Sequence, residues 1–313
     1  MTDQYIVSSS PHIRSDKTTD KIMRDVIIAL MPATLFGIYN FGVRALIIVL
    51  ICVISCVASE ALFQYITKRK LSISDYSAVV TGILLALNLP HTVPYWLPVL
   101  GSVVAIIIVK QLFGGLGQNF MNPALGARAF LLISFAGLMT RWELDGVTTA
   151  TPLGIIKEGA GSLPSIADTF FGFIGGCIGE TSAIALLLGG IYLLARKIIN
   201  WRIPVLYIGS VFVLSLIIGG RGFDMNYAAY QVFSGGLMIG AIYMATDYSS
   251  SPMTKTGQII MGLGCGILTA VIRIYGSYPE GVSFAIIIMN LFVPLIDKFT
   301  IPKAFGEVAK NEK

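Results

Sequence analysis

Ala45-Leu46-Ile47-Ile48-Val49-Leu50-Ile51-Cys52-Val53-Ile54-Ser55-Cys56-Val57-Ala58-Ser59-Glu60-Ala61-Leu62-Phe63-Gln64-Tyr65-Ile66 carries one charge, Glu60, and stops at Lys68-Arg69-Lys70. An apolar stretch of ~20 residues is what a helix needs to cross the hydrocarbon core of a bilayer, and a basic cluster at its end is a topology signal. The rest of the chain has the same character. Its 313 residues are 55% hydrophobic and only 12% charged, against about 25% charged in a soluble domain. So little charge cannot cover a globule, and lipid must be much of its solvent. The net charge of +5 does not point to nucleic acid, because the basic residues flank apolar runs.

Outward from this run, nine more can be read: Val26 to Phe41, Ser77 to Leu89, Trp96 to Val109, Ala124 to Leu138, Thr181 to Ala195, Ile203 to Ile218, Ala228 to Ala245, Gly257 to Ile274 and Val282 to Ile296. Several are shorter than a full span, so flanking turns complete them or they are half-helices meeting inside the bilayer. The pattern predicts an all-α protein with about ten transmembrane helices. With the N-terminus in the cytoplasm, the outer side receives Arg44, Arg141, Lys157, Arg221 and Arg273, and the cytoplasmic side the other seventeen of the 22 lysines and arginines. That asymmetry favours both termini inside.

Runs three and eight both have a small polar start, a central glycine and an apolar finish, which suggests two five-helix repeats of inverted topology. The expected organisation is a cytoplasmic segment 1–25, a first repeat 26–138, an extracytoplasmic loop 139–178, a second repeat 179–296 and a cytoplasmic tail 297–313.

Polar residues inside such a chain are costly and often functional. Asn119, Asn122 and Arg128 lie along one glycine-rich break and the helix after it, with Asn122-Pro123 as a helix-start signal. Glu180 and Glu280 open runs six and ten, and Asp247 begins a loop of capping residues. The four cysteines form no Cys-x-x-Cys and no His/Cys cluster, so the chain by itself offers no metal site. No nucleophile–base pair or dinucleotide fingerprint is present, so redox chemistry would need a held cofactor. The loop between the halves contains Asp145-Gly146-Val147-Thr148-Thr149-Ala150-Thr151-Pro152-Leu153-Gly154. On composition alone this suits an exposed loop of turn-formers.

Asp145 followed by Thr148-Thr149-Ala150-Thr151 resembles the motif that a flavin transferase reads, although Thr149 stands where that motif usually has glycine. The stretch from Phe113 to Ala124 with Arg128 and Phe130, Asp75 to Pro90, Gly179-Glu180-Thr181-Ser182, and Tyr278 to Ala285 resemble the D subunit of the Rnf complex. The likeness runs from Ser10 to Asp297. It is more distant to the B subunit of sodium-translocating NADH:quinone reductase.

The resemblance implies a membrane subunit of an ion-translocating ferredoxin:NAD oxidoreductase in the bacterial cytoplasmic membrane, with a urea-transporter-like arrangement of ten helices. It implies FMN joined through its phosphate to the Thr151 hydroxyl, with Asp145, Thr148, Thr149 and Ala150 read by the transferase. It leaves room for a second, non-covalent flavin such as riboflavin. Asn119, Asn122 and Arg128 are then candidate cofactor contacts, and Glu180, Asp247 and Glu280 candidate ion-gate residues. The partners are the other Rnf subunits, the transferase and lipid. The competing reading is a cofactor-free solute channel or permease of the same architecture.

Overall fold

The computed structural model describes residues 18–144, 147–148, 150–159, 162–220, 223–276 and 280–302. Helices α1 (Thr19–Phe41) and α2 (Val43–Ile66) are followed by α3 (Ser77–Leu87) and α4 (Trp96–Val103). The last continues without a break into a π-helical segment, Val104–Gln111. Then come α5 (Pro123–Ser134) and α6 (Ala136–Met139), a two-stranded antiparallel ribbon of β1 (Glu143–Leu144) and β2 (Val147–Thr148), and short helices α7 (Pro152–Glu158) and α8 (Ile166–Phe171). The second half holds α9 (Ala183–Ala195), α10 (Arg202–Ile218), α11 (Met225–Phe233), α12 (Leu237–Ile239) with a π-helical continuation Gly240–Met244, α13 (Lys255–Tyr275) and α14 (Val282–Thr300). Helices α1, α2, α13 and α14 are long and apolar enough to cross a membrane, and α3, α4 with its continuation, α5, α9 and α10 are shorter apolar helices.

Helix α2 shows why the fold belongs in lipid. Its inward face is Ala45, Ile48, Cys52, Cys56, Ser59 and Glu60, and its outward face is Val43, Leu50, Ile54 and Leu62. Most of the side chains that point in are small or polar, and those that point out are bulky and apolar. A helix in water would do the reverse. Close approach of backbones replaces the hydrophobic effect as the packing device. Where α1 meets α9, a Cβ built on Gly189 would lie 1.9 Å from the Ala29 carbonyl oxygen and 2.1 Å from the Tyr243 hydroxyl. Tyr243 uses the space, donating to Ala29 O at 3.1 Å or Leu186 O at 3.0 Å.

Two expectations change. The eighth run, read as continuous from Ala228 to Ala245, is broken at Ser234-Gly235-Gly236, where Gly235 takes φ +68°. Only glycine adopts that conformation cheaply. Lys110, Arg128 and Arg273, counted above as topology signals, are all buried. They answer internal acceptors instead of the membrane surface.

Candidate functional site

Thr151 is the N-cap of α7. Its backbone is extended, Pro152 takes the first helical position, and its hydroxyl oxygen accepts from the Gly154 amide at 3.2 Å. This is the cap chemistry that Thr-Pro at a helix start favours. Thr151 is buried while the neighbouring Ala150 is exposed. Thr148 lies in β2, paired with Glu143. Asp145 and Thr149 lie outside the described residues.

α7 docks onto the break in the second half. A Cβ on Gly235 would sit 2.8 Å from Leu153 Cδ1 and 3.3 Å from a terminal nitrogen of Arg273.

On the other side of the same break is a buried polar cluster. Arg128, from α5, donates to Glu180 Oε1 at 2.9 Å, Asn88 Oδ1 at 2.9 Å and Ser283 Oγ at 3.2 Å, and it also pairs with Glu280. Cys177 completes the group, donating from Sγ to the Asn88 carbonyl at 3.2 Å. A Cβ on Gly236 would lie 2.8 Å from Glu180 Oε1 and 3.2 Å from Arg128 Nη1. The sequence set Arg128 beside Asn119 and Asn122. The structure instead joins it to Glu180 and Glu280, two of the three acids singled out as gate candidates. A guanidinium that faces two carboxylates offsets a desolvation cost that neither acid could bear alone.

Asn119, Asn122 and Asp247 converge elsewhere, on an apolar cavity also lined by Ser77, Thr81 and Lys110. Asn122 caps α5, its Oδ1 accepting from Ala124 and Leu125 at 3.0 and 3.3 Å, as Asn-Pro predicts. Asn119 donates to the Met121 carbonyl at 2.9 Å. Asp247 accepts from the Ser249 and Ser250 hydroxyls, each at 3.0 Å. Burial pushes its carboxyl up from the usual range, and those hydroxyl bonds together with Asn119 pull it partly back.

At the cavity wall Lys110 belongs to a pair that the reading of motifs missed. Lys110 Nζ bonds Glu60 Oε1 at 2.8 Å and Ser77 Oγ at 2.6 Å, and Gln111 donates to the same Glu60 oxygen at 2.6 Å. The signal was present: Glu60 is the one charge in the run that defines the fold, and intramembrane charges mark internal polar sites.

A profile of the NQR2, RnfD, RnfE family matches residues 6–306. The D subunit of the Na(+)-translocating ferredoxin:NAD(+) oxidoreductase complex of Acetobacterium woodii is 53% identical, over 98% of this chain and 96% of the relative. The D subunit of the proton-translocating ferredoxin:NAD(+) oxidoreductase complex of Clostridium ljungdahlii is 45% identical, over 96% of each. The D subunit of the ion-translocating oxidoreductase complex of Stutzerimonas stutzeri is 39% identical, over 94% of each. With Arg128, Glu180, Glu280 and the Thr151 loop arranged around one helix break, and matches that cover nearly the whole chain, the chain belongs to the NQR2, RnfD, RnfE family.

Proposed function

We propose that this chain is the D-type membrane subunit of an ion-translocating ferredoxin:NAD oxidoreductase, and that it carries FMN as a phosphoester on Thr151. The observation that carries the second part is the position of Thr151. It ends a loop at the head of α7, next to exposed Ala150, with its oxygen as an acceptor and its proton not committed to any described acceptor. A hydroxyl in that state can be esterified without breaking a donated bond. When bound, the flavin would supply electron relay. The chain's residues hold the attachment point rigid through the Gly154 cap and the Leu153 contact with Gly235.

A second, non-covalent flavin such as riboflavin suits the cavity lined by Asn119, Asn122 and Asp247. Its walls are largely apolar and carry a few amide, hydroxyl, ammonium and carboxylate groups, as in most cofactor pockets. The proposed topology is ten spans in two inverted five-helix repeats, with both termini in the cytoplasm and Thr151 outside. Its support is the charge asymmetry, which persists at fifteen against four when buried Lys110, Arg128 and Arg273 are removed. Glu180, Glu280 and Asp247 remain the gate candidates: Glu180 and Glu280 share the buried Arg128 and Asp247 lines the cavity.

The test is in-gel flavin fluorescence of the denatured protein from cells that contain a flavin transferase, followed by mass spectrometry of the peptide from Trp142 to Lys157. A fluorescent band with FMN on Thr151 is the expected result. A band without flavin would favour the channel or permease reading, and fluorescence retained in Thr151→Ala would reject the assignment to that threonine.

A further inference from the structure

Arg273, on α13, is a buried cation without a carboxylate within salt-bridge distance among the described residues. Its guanidinium donates to the Gln231 carbonyl and, at 3.4 Å, to the Ser234 carbonyl and the Gln231 side chain, while Nε has no partner. These carbonyl acceptors supply dipoles but no compensating charge. Glu280, whose Cγ would lie 3.9 Å from a Cβ on Gly235, pairs with Arg128 instead. Glu280 and Glu180 reach it only through space, and a buried guanidinium with no contact ion pair and an unpartnered Nε can take an anion that arrives.

The cleft that Arg273 faces has a cavity volume of about 200 Å³. One wall is Leu153, Ile156 and Lys157, a single face of α7, the helix that Thr151 caps. Tyr227, Gln231 and Arg273, from α11 and α13, also line it. Lys157 is itself held across the cleft by donating to the Gly276 carbonyl. The cleft therefore combines aliphatic and aromatic groups with a buried cation and an amide, and it begins two residues from the attachment hydroxyl.

We infer that this cleft seats the isoalloxazine of the Thr151-linked flavin, with Arg273 facing the edge of the ring that becomes anionic on reduction. The inference rests on the attachment proposed above. Arg273 sets a fixed positive charge against the single negative charge that the ring gains when it takes up two electrons, one at a time from a low-potential iron–sulfur donor, and one proton from water. Positive charge near that edge is a recognised way for a protein to tune a flavin. A cation buried at contact distance stabilises the anionic form by about ten- to hundredfold at an effective dielectric constant of ~20, allowing for partial screening.

The experiment uses the full chain produced with a flavin transferase, purified in detergent and titrated redox-spectroscopically with dithionite. Arg273→Gln should keep its in-gel fluorescence and bind the two electrons about ten- to hundredfold less tightly, which is a negative shift of ~30–60 mV at ~30 mV per tenfold for a two-electron couple. Arg273→Lys should stay within about threefold of the unaltered protein, because charge and not shape carries the effect. An Arg273→Gln couple within about threefold of the parent, with flavin attached, would overturn the seat and leave the attachment standing. Loss of flavin from Thr151→Ala, read in the same gel, tests the attachment separately.

If Arg273→Gln does not accumulate, Ile156→Trp fills the cleft from the other wall. Iodide should then quench the attached flavin several-fold more strongly than in the parent, and unchanged quenching would overturn the seat.

Discussion

Removing the guanidinium of Arg128 should be among the most damaging single changes in the chain. Arg128→Met leaves Glu180 and Glu280 facing each other in a buried site, with Asn88 and Ser283 each losing a donor. Glu180 Oε2 already lacks a donor among the described residues, and Arg273 acts on Glu180 only through space. Breaking a buried pair from one side costs about 3–5 kcal/mol. With melting temperatures moving ~2–4 °C per kcal/mol in larger chains, the loss should be about 10 °C. The assay is thermal unfolding in detergent across a double-mutant cycle of Arg128→Met and Glu180→Gln. Removing the carboxylate as well should recover part of the loss, with a coupling of about 1–3 kcal/mol. If Arg128→Met melts within ~2 °C of the parent, the acids are solvated or protonated independently of it, and the charge-compensation reasoning fails.

Two further substitutions probe other parts of the structure. Gly189→Ala puts a methyl group 1.9 Å from a backbone oxygen of α1. Overpacking of this kind costs about 1–3 kcal/mol, so a lower melting temperature is expected, and an unchanged one would mean that α1 and α9 are not held this closely. Asp247→Asn tests the sign of the Asp247 shift. Its carboxyl is raised in the fold by burial, so the folded state holds its proton more tightly and the stabilisation present at pH 4 is lost as pH rises through the folded value. The asparagine variant should therefore gain on the parent in melting temperature as pH rises from 4 to 8, and a gap that does not grow would refute the shift.

How much of this could be read in advance depended on whether the signal was local. The apolar runs gave the class of fold because a bilayer span is a property of ~20 consecutive residues. Asn122-Pro123 gave a helix start for the same reason, since a cap is satisfied within three residues, whereas Thr151-Pro152, read as part of a loop of turn-formers, proved to be the same kind of start. The charge cluster was different. Arg128, Glu180 and Glu280 stand 52 and 152 positions apart, and no spacing rule links them. Each was visible as an expensive residue, but their pairing is a product of tertiary packing. Lys110 and Arg128 misled as topology signals because a lysine or arginine near the end of a run looks the same whether its charge reaches the surface or turns inward. The break at Ser234 was hidden because glycine and serine are ordinary inside membrane helices.

That break also decides how the flavin loop and the charge cluster touch. Gly235 faces Leu153 and Arg273, and Gly236 faces Glu180 and Arg128. The two sites are separated by one peptide bond. Adding a methyl to each glycine in turn should therefore divide their effects. Gly235→Ala is strained whatever the space around it, because φ is +68°, at about 1–2 kcal/mol, and its Cβ pushes Leu153 away from the cleft. Gly236 has φ −73°, which alanine adopts freely, so its cost is the clash with Glu180 Oε1 at 2.8 Å and the tight approach to Arg128 Nη1 at 3.2 Å. In combination with Arg128→Met, Gly236→Ala should be strongly non-additive, by about 1 kcal/mol or more, because both act on one cluster. Gly235→Ala should come closer to additivity with Arg128→Met, since its strain and its Leu153 contact lie outside the cluster. Equal coupling for the two glycines, measured by unfolding, would mean that the break moves as one rigid unit and that the loop and the cluster cannot be perturbed separately.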